Sequence, residues 1–143
     1  MTDSITDWLR EQLDEDERTA RAATPGPWEQ SGIGEYGWGV SFSRPGAGVE
    51  AEDSDQGRAD ADFIAAHDPA RVLREIDAKR QIVAEHPTAS GWDGQSGDGY
   101  VCRTCAEITG SGELSGGPYP CTTLRLLALP FADWPGYRDN WRP

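Results

Sequence analysis

The 143-residue chain is long enough for one domain with a genuine core, but only 36% of it is hydrophobic, and 17 glycines and 10 prolines confine the apolar residues to a few segments joined by long turns. The formal charge of −12 is lopsided, with 15 acidic and 5 basic side chains in residues 1–62 against 10 and 8 in residues 63–143, and such a field repels phosphates and disfavours direct DNA or RNA binding. No apolar run approaches the roughly 20 residues of a membrane span, and the acidic N-terminus lacks the pattern of a secretory signal, so the chain reads as cytoplasmic.

Residues 4–23 have helical spacing, with Asp3 or Ser4 as cap and Ile5, Trp8, Leu9, Leu13, Asp16 and Ala20 along one face. Glu11, Asp14, Glu15, Asp16 and Glu17 crowd the later turns, where the helix dipole favours positive charge. The mismatch makes Glu11, Asp14, Glu15 and Glu17 candidate partner-binding residues; the plainer reading is a solvated face. Thr24-Pro25-Gly26-Pro27 ends this helix and Trp28 follows as a core anchor. Trp38, Val40 and Phe42 then alternate on one face of a strand, Gly32 to Gly37 closes a hairpin back to Trp28, and Val49 to Glu52 offers a third strand. Ser54 to Gly57 reads as a polar turn.

Asp60 to Ala66 is a short helix stopped near His67. Asp68 can cap a second one, Pro69 suits its first position, and Val72, Leu73, Ile76, Ile82 and Val83 keep helical spacing to about residue 86. Residues 88–99 and 110–118 are rich in Gly and Ser and read as two loops flanking a strand that enters a tight turn at Tyr100 to Cys105. Thr122 to Leu129 is a final apolar helix halted by Pro130. The tail carries Trp134, Tyr137 and Trp141, large aromatics expected to pack back onto the fold.

The chemistry lies in His86, Cys102, Cys105 and Cys121, spaced H-x15-C-x2-C-x15-C. Zinc takes four tetrahedral nitrogen and sulfur ligands, and a two-residue gap lets one turn aim two thiolates at one ion. His86 ends a helix and Cys121 precedes one whose dipole favours thiolate. A structural zinc site is therefore expected, ahead of three reduced structural cysteines or a redox pair; a disulfide network fits poorly with three cysteines in a cytoplasmic chain.

A catalytic zinc needs an open position, which four protein ligands would fill. Substituting His67 would open one, but His67-Asp68-Pro69 reads as a helix junction. The nucleotide deaminase signature, a phosphate-binding loop, a nucleophile elbow and H-E-x-x-H are all missing, so no catalytic or cofactor-binding residue is assigned.

Several stretches carry a resemblance: Ile5-Thr6-Asp7-Trp8-Leu9, Ala22-Ala23-Thr24-Pro25-Gly26-Pro27-Trp28, His67 to Glu75, Tyr119 to Arg125, and the closing Trp141-Arg142-Pro143. Through them the chain resembles a family of unknown function made of small proteins from actinobacteria and their phages. The Thr24 to Trp28 turn followed by Phe63-Ile64-Ala65 is also similar to early-region accessory proteins of lambdoid phages. The resemblance implies a phage or prophage setting, supplies no catalytic residue, and adds weight to His86 and the cysteines as metal ligands.

The expected protein is thus an α+β fold, with a small antiparallel sheet or hairpin, three to four helices and a zinc-stapled C-terminal half. It is read as one domain over residues 1–143, with an acidic helix and hairpin in 1–62 and a helical zinc-binding half in 63–143. Its expected role is a non-enzymatic protein-interaction module, a phage or prophage accessory protein that binds a host protein. The alternatives are an acidic nucleic-acid mimic that inhibits a DNA-binding enzyme, and a zinc-dependent hydrolase or nucleotide-binding protein.

Overall fold

A computed structural model describes residues 4–94 and 99–143 and has an α+β architecture. The first helix, α1, runs over Ile5–Ala22. Ser4 starts it by accepting a hydrogen bond from the Asp7 amide at 3.1 Å, which is N-capping geometry; Asp3 lies outside the described residues. Ile5, Trp8, Leu9, Leu13 and Ala20 are buried along one face, while Asp16 on the same face is half-buried. Contacts group the chain into two compact units, residues 15–77 and residues 1–14 with 78–143, whose boundaries fall inside α1 and α3 (Pro69–Ala84).

The unit of residues 15–77 is a three-stranded antiparallel sheet covered by a helix. Its strands, β1 (Glu29–Ile33), β2 (Trp38–Ser41) and β3 (Gly48–Glu50), lie in sequence order, with Val40 opposite Gln30 on one side and Val49 on the other. The alternation at Trp38, Val40 and Phe42 is used as expected. Val40 is buried, Phe42 stacks on Trp28 with ring centroids 4.1 Å apart, and Arg58 lies over the Trp38 ring. Trp28 is fixed by its indole N–H donating to the Thr24 carbonyl at 2.8 Å and its amide donating to Asp68 at 3.1 Å. The other Asp68 oxygen accepts from the Arg71 amide and caps α3.

Residues 54–57 are not the expected free turn. Ser54 is the N-cap of α2 (Asp55–Ala66), accepting from the Gly57 amide at 2.9 Å, so the helix begins five residues earlier than the apolar pattern indicates. Gly57 is required there, because a Cβ would collide with the Glu52 carbonyl. The helix packs over β1 and β2 and stops at His67 as expected.

In the other unit, the start of α1 and the end of α3 join a C-terminal region that is more ordered than its composition suggests. The expected loop at 88–99, of which residues 95–98 lie outside the described residues, contains β4 (Thr88–Ser90), paired antiparallel with β5 (Tyr100–Cys102). The expected loop at 110–118 contains β7 (Leu114–Ser115), paired with β6 (Glu107–Ile108). Both strands are too short for their alternation to stand out, and backbone pairing organises them. The last helix, α4 (Thr122–Ala128), passes into a 3-10 turn at Leu129–Phe131 that accommodates Pro130.

Leu9, Leu13, Val83, Val101, Leu124 and Ala128 are among the buried apolar residues of this unit. Ile82, expected on the inner face of α3, is instead 39% exposed. The aromatic tail does pack back. Trp8 meets Phe131, Tyr137 and Trp141 with centroids 5.2–6.2 Å apart and donates its indole N–H to the Pro135 carbonyl at 3.1 Å. Trp134 packs edge-on against Phe131. Among the described residues no helix is long and apolar enough to cross a membrane.

Candidate metal centre

Three separate segments deliver the four predicted ligands to one point. The end of α3 tightens as the His86 amide donates to the Val83 carbonyl at 3.1 Å, and β4 begins two residues later. Register then does the rest, because Thr88 pairs with Cys102 and so brings the end of β5 alongside the end of α3. Beyond β5 the chain turns sharply, with the Ala106 amide donating to the Cys102 carbonyl at 2.9 Å, and Cys105 folds back beside Cys102. Two further bonds latch this turn to the helix end: the Arg103 amide donates to the Pro87 carbonyl at 2.9 Å, and the Thr104 hydroxyl donates to the Glu85 carbonyl.

Cys121 arrives from the other side. The Cys102 amide donates to the Gly117 carbonyl at 2.6 Å and Val101 bridges Pro118, which sets the approach to α4. Gly117 has φ of +56°, and a Cβ there would stand 2.5 Å from the Ala106 nitrogen, so only glycine fits between the turn and the incoming strand. Cys121 is the N-cap residue of α4, where the helix dipole favours a negative sulfur.

The Nδ1 atom of His86 lies 3.4 Å from the Cys102 sulfur, 3.7 Å from that of Cys105 and 3.6 Å from that of Cys121. Hydrogen bonding does not account for three such contacts, since Nδ1 carries either one proton or one lone pair. A tetrahedral ion does. With metal–sulfur bonds of about 2.3 Å and a metal–nitrogen bond of about 2.05 Å, the nitrogen–sulfur edges are about 3.6 Å and the sulfur–sulfur edges about 3.8 Å. All four ligand atoms lie within 4.8 Å of one another, so small side-chain rotations close the set around an ion. Three cysteines and one histidine thus form a cluster that can hold a metal ion, and none of the three cysteines is in a disulfide.

The electrostatics point the same way. The Cys105 thiol is pushed from an ordinary 9.0 up to about 12, first by desolvation and then by the neighbouring Cys102 and Cys121 sulfurs. The Cys121 thiol is also raised, chiefly by burial; the Leu124 amide opposes this from a position too loose to make a capping hydrogen bond. Thiols raised in this way hold their protons until a cation replaces them, so loading the site at Cys105 and Cys121 releases protons.

His67 takes no part in the cluster. It stacks on Phe63 with centroids 4.2 Å apart, and its Nδ1 lies 2.8 Å from the Phe63 carbonyl. Three of the acidic residues proposed for a partner are in ion pairs: Glu15 with Arg18 and Glu17 with Arg21 at 2.9 Å, both within α1, and Asp14 with Arg80 of α3 at 2.6 Å, while Glu11 is exposed. Exposed pairs of this kind contribute about 0–1 kcal/mol each and hold no fixed surface together. Sequence spacing alone does not reveal Thr104 and Gly117, which hold the cysteine turn in place. The positive φ that requires Gly117 becomes visible only once β5 and the approach to α4 are seen side by side.

A family model described as a family of unknown function (DUF6221) matches residues 2–143, and the chain belongs to that family. No curated protein and no solved structure matches it.

Proposed function

We propose that this protein is a zinc-stapled, non-enzymatic interaction module. In this reading it is a phage or prophage accessory protein whose acidic N-terminal half binds a basic surface on a host protein. The observation that carries the structural part is the equal spacing of His86 Nδ1 from three sulfurs, at 3.4–3.7 Å. A three-sulfur, one-nitrogen tetrahedron suits zinc by ligand softness and geometry. When all four positions are filled by protein, no site remains for water or substrate, and the ion holds the fold together without performing chemistry.

What supports the partner is charge. Residues 1–62 carry a net −10, a field that draws basic surfaces and raises their association rates at low salt. The phage setting is supported by the resemblance of the Thr24 to Trp28 and Tyr119 to Arg125 stretches.

Metal analysis tests the first part. Purified protein should carry one equivalent of zinc, and Cys102→Ser protein should lose most of it. For the second part, charge reversal at Glu11, Asp14, Glu15 and Glu17 should abolish capture of a host protein that the unaltered chain retains at low salt. Retention of every partner by the reversed variant would count against an acidic docking surface.

A further inference from the structure

The four ligands are not equally sheltered. Cys102 is fully buried and Cys121 is 4% exposed, whereas Cys105 stands at the outside of its turn and is exposed. Its surroundings open a path to it. A cleft of about 320 Å³ is lined by Cys105, Glu107, Ile108, Ser115, Gly116 and Gly117, formed where the β6–β7 hairpin folds back past the cysteine turn. A small solute entering this cleft meets one ligand sulfur while the other two stay covered.

We propose that Cys105 is an oxidation site through which hydrogen peroxide opens the metal centre. This rests on the metal-binding reading above. A metal-bound thiol is held as thiolate, the reactive form of sulfur, and susceptibility to oxidation follows thiolate character and exposure together. Cys105 would have both; Cys102 and Cys121 would have only the first.

The chemistry balances with peroxide as the sole oxidant. The Cys105 sulfur attacks one peroxide oxygen, the O–O bond breaks, and sulfenic acid and hydroxide result. A second cluster thiolate then attacks the sulfenic sulfur, forming an S–S bond and expelling hydroxide. Two protons from solvent convert the two hydroxides to water, so two thiolates have given two electrons to one peroxide. The second thiolate is already at hand, since all the ligand atoms of the cluster lie within 4.8 Å of one another. A disulfide sulfur is a poor zinc ligand, so His86 and one remaining cysteine would release the ion. The segments it joined, the end of α3, the cysteine turn and the start of α4, would then lose their common tie.

The test uses zinc-loaded full-length protein treated with hydrogen peroxide, with released zinc followed by a chromogenic chelator and modified cysteines mapped by mass spectrometry. Zinc content before treatment is the first reading, and protein that binds no zinc at all would overturn the metal assignment itself. With zinc bound, Cys105 should enter sulfenate or disulfide first, roughly tenfold ahead of any bond lacking it. Zinc release should keep pace with the loss of the Cys105 thiol, both being read in the same samples of the unaltered chain. Oxidation that begins at Cys102 or Cys121, or zinc released while Cys105 is still a thiol, would overturn the proposal.

Discussion

Removing the metal should destabilise one unit of the chain and spare the other. Fifteen residues separate His86 from Cys102, and fifteen separate Cys105 from Cys121, so a single ion closes two loops of that length. By the chain-entropy relation for cross-links, a loop of about 15 residues is worth about 3 kcal/mol, and the two together about 6. A small domain holds roughly 5–15 kcal/mol in all, so the ion supplies much of the margin. The affected unit, residues 1–14 with 78–143, has about 80 residues, a size at which each kcal/mol shifts Tm by roughly 4–8 °C. Chelation under reducing conditions should therefore lower its melting temperature by about 25 °C or more. Hydrogen exchange locates the effect, because all four ligands fall in this unit. Amides of β4, β5 and α4 should lose protection while those of β1, β2 and β3 keep theirs. Metal-free protein that melts within about 3 °C of the loaded form would refute the reasoning.

Four more outcomes are expected. In metal-free protein the Cys105 and Cys121 thiols have folded pKa values above their unfolded ones, so their contribution is full below about pH 9 and is lost as pH rises toward about 12; urea midpoints should be lower at about pH 10 than at about pH 8, and a zinc-loaded sample should not show that loss. Acid acts oppositely on the loaded form, because protons compete with the ion for the sulfurs, and competition with a chromogenic chelator should show weaker zinc binding at about pH 6 than at about pH 8. Gly117→Ala puts a Cβ against the Ala106 amide at a left-handed φ, which should cost about 2 kcal/mol or more in urea unfolding and weaken metal retention in the same chelator assay. Trp8→Ala removes the ring on which Phe131, Tyr137 and Trp141 converge and should cost about 3–5 kcal/mol, with tail amides exchanging faster.

Long elements and ligand chemistry are legible in this sequence because each rests on a local rule. The apolar spacing of α1, the Asp68 cap and Pro69 start of α3, and the Trp38-Val40-Phe42 alternation all find the partners that their patterns call for. His86 and the three cysteines come together because donor type and spacing are properties of the residues themselves. The features that escape are those whose cause lies elsewhere in the chain. Thr88-Ala89-Ser90 has no strand signature of its own and becomes β4 because Tyr100-Val101-Cys102 pairs with it. Leu114 and Ser115 likewise depend on β6. Ser54 has the side chain of a helix cap, but the first turn it starts, Asp55-Gln56-Gly57, contains no apolar residue to mark a helix. The exposure of Cys105, on which its proposed reactivity depends, cannot be read from the C-x2-C spacing, which it shares with the fully buried Cys102.

X-ray absorption at the zinc edge of the loaded protein reaches the metal assignment most directly. The expected spectrum has three sulfur scatterers near about 2.3 Å and one nitrogen at about 2.0–2.1 Å with imidazole outer-shell features, and no oxygen ligand. A water oxygen in the first shell, or fewer than three sulfurs, would contradict a closed structural site built from His86, Cys102, Cys105 and Cys121.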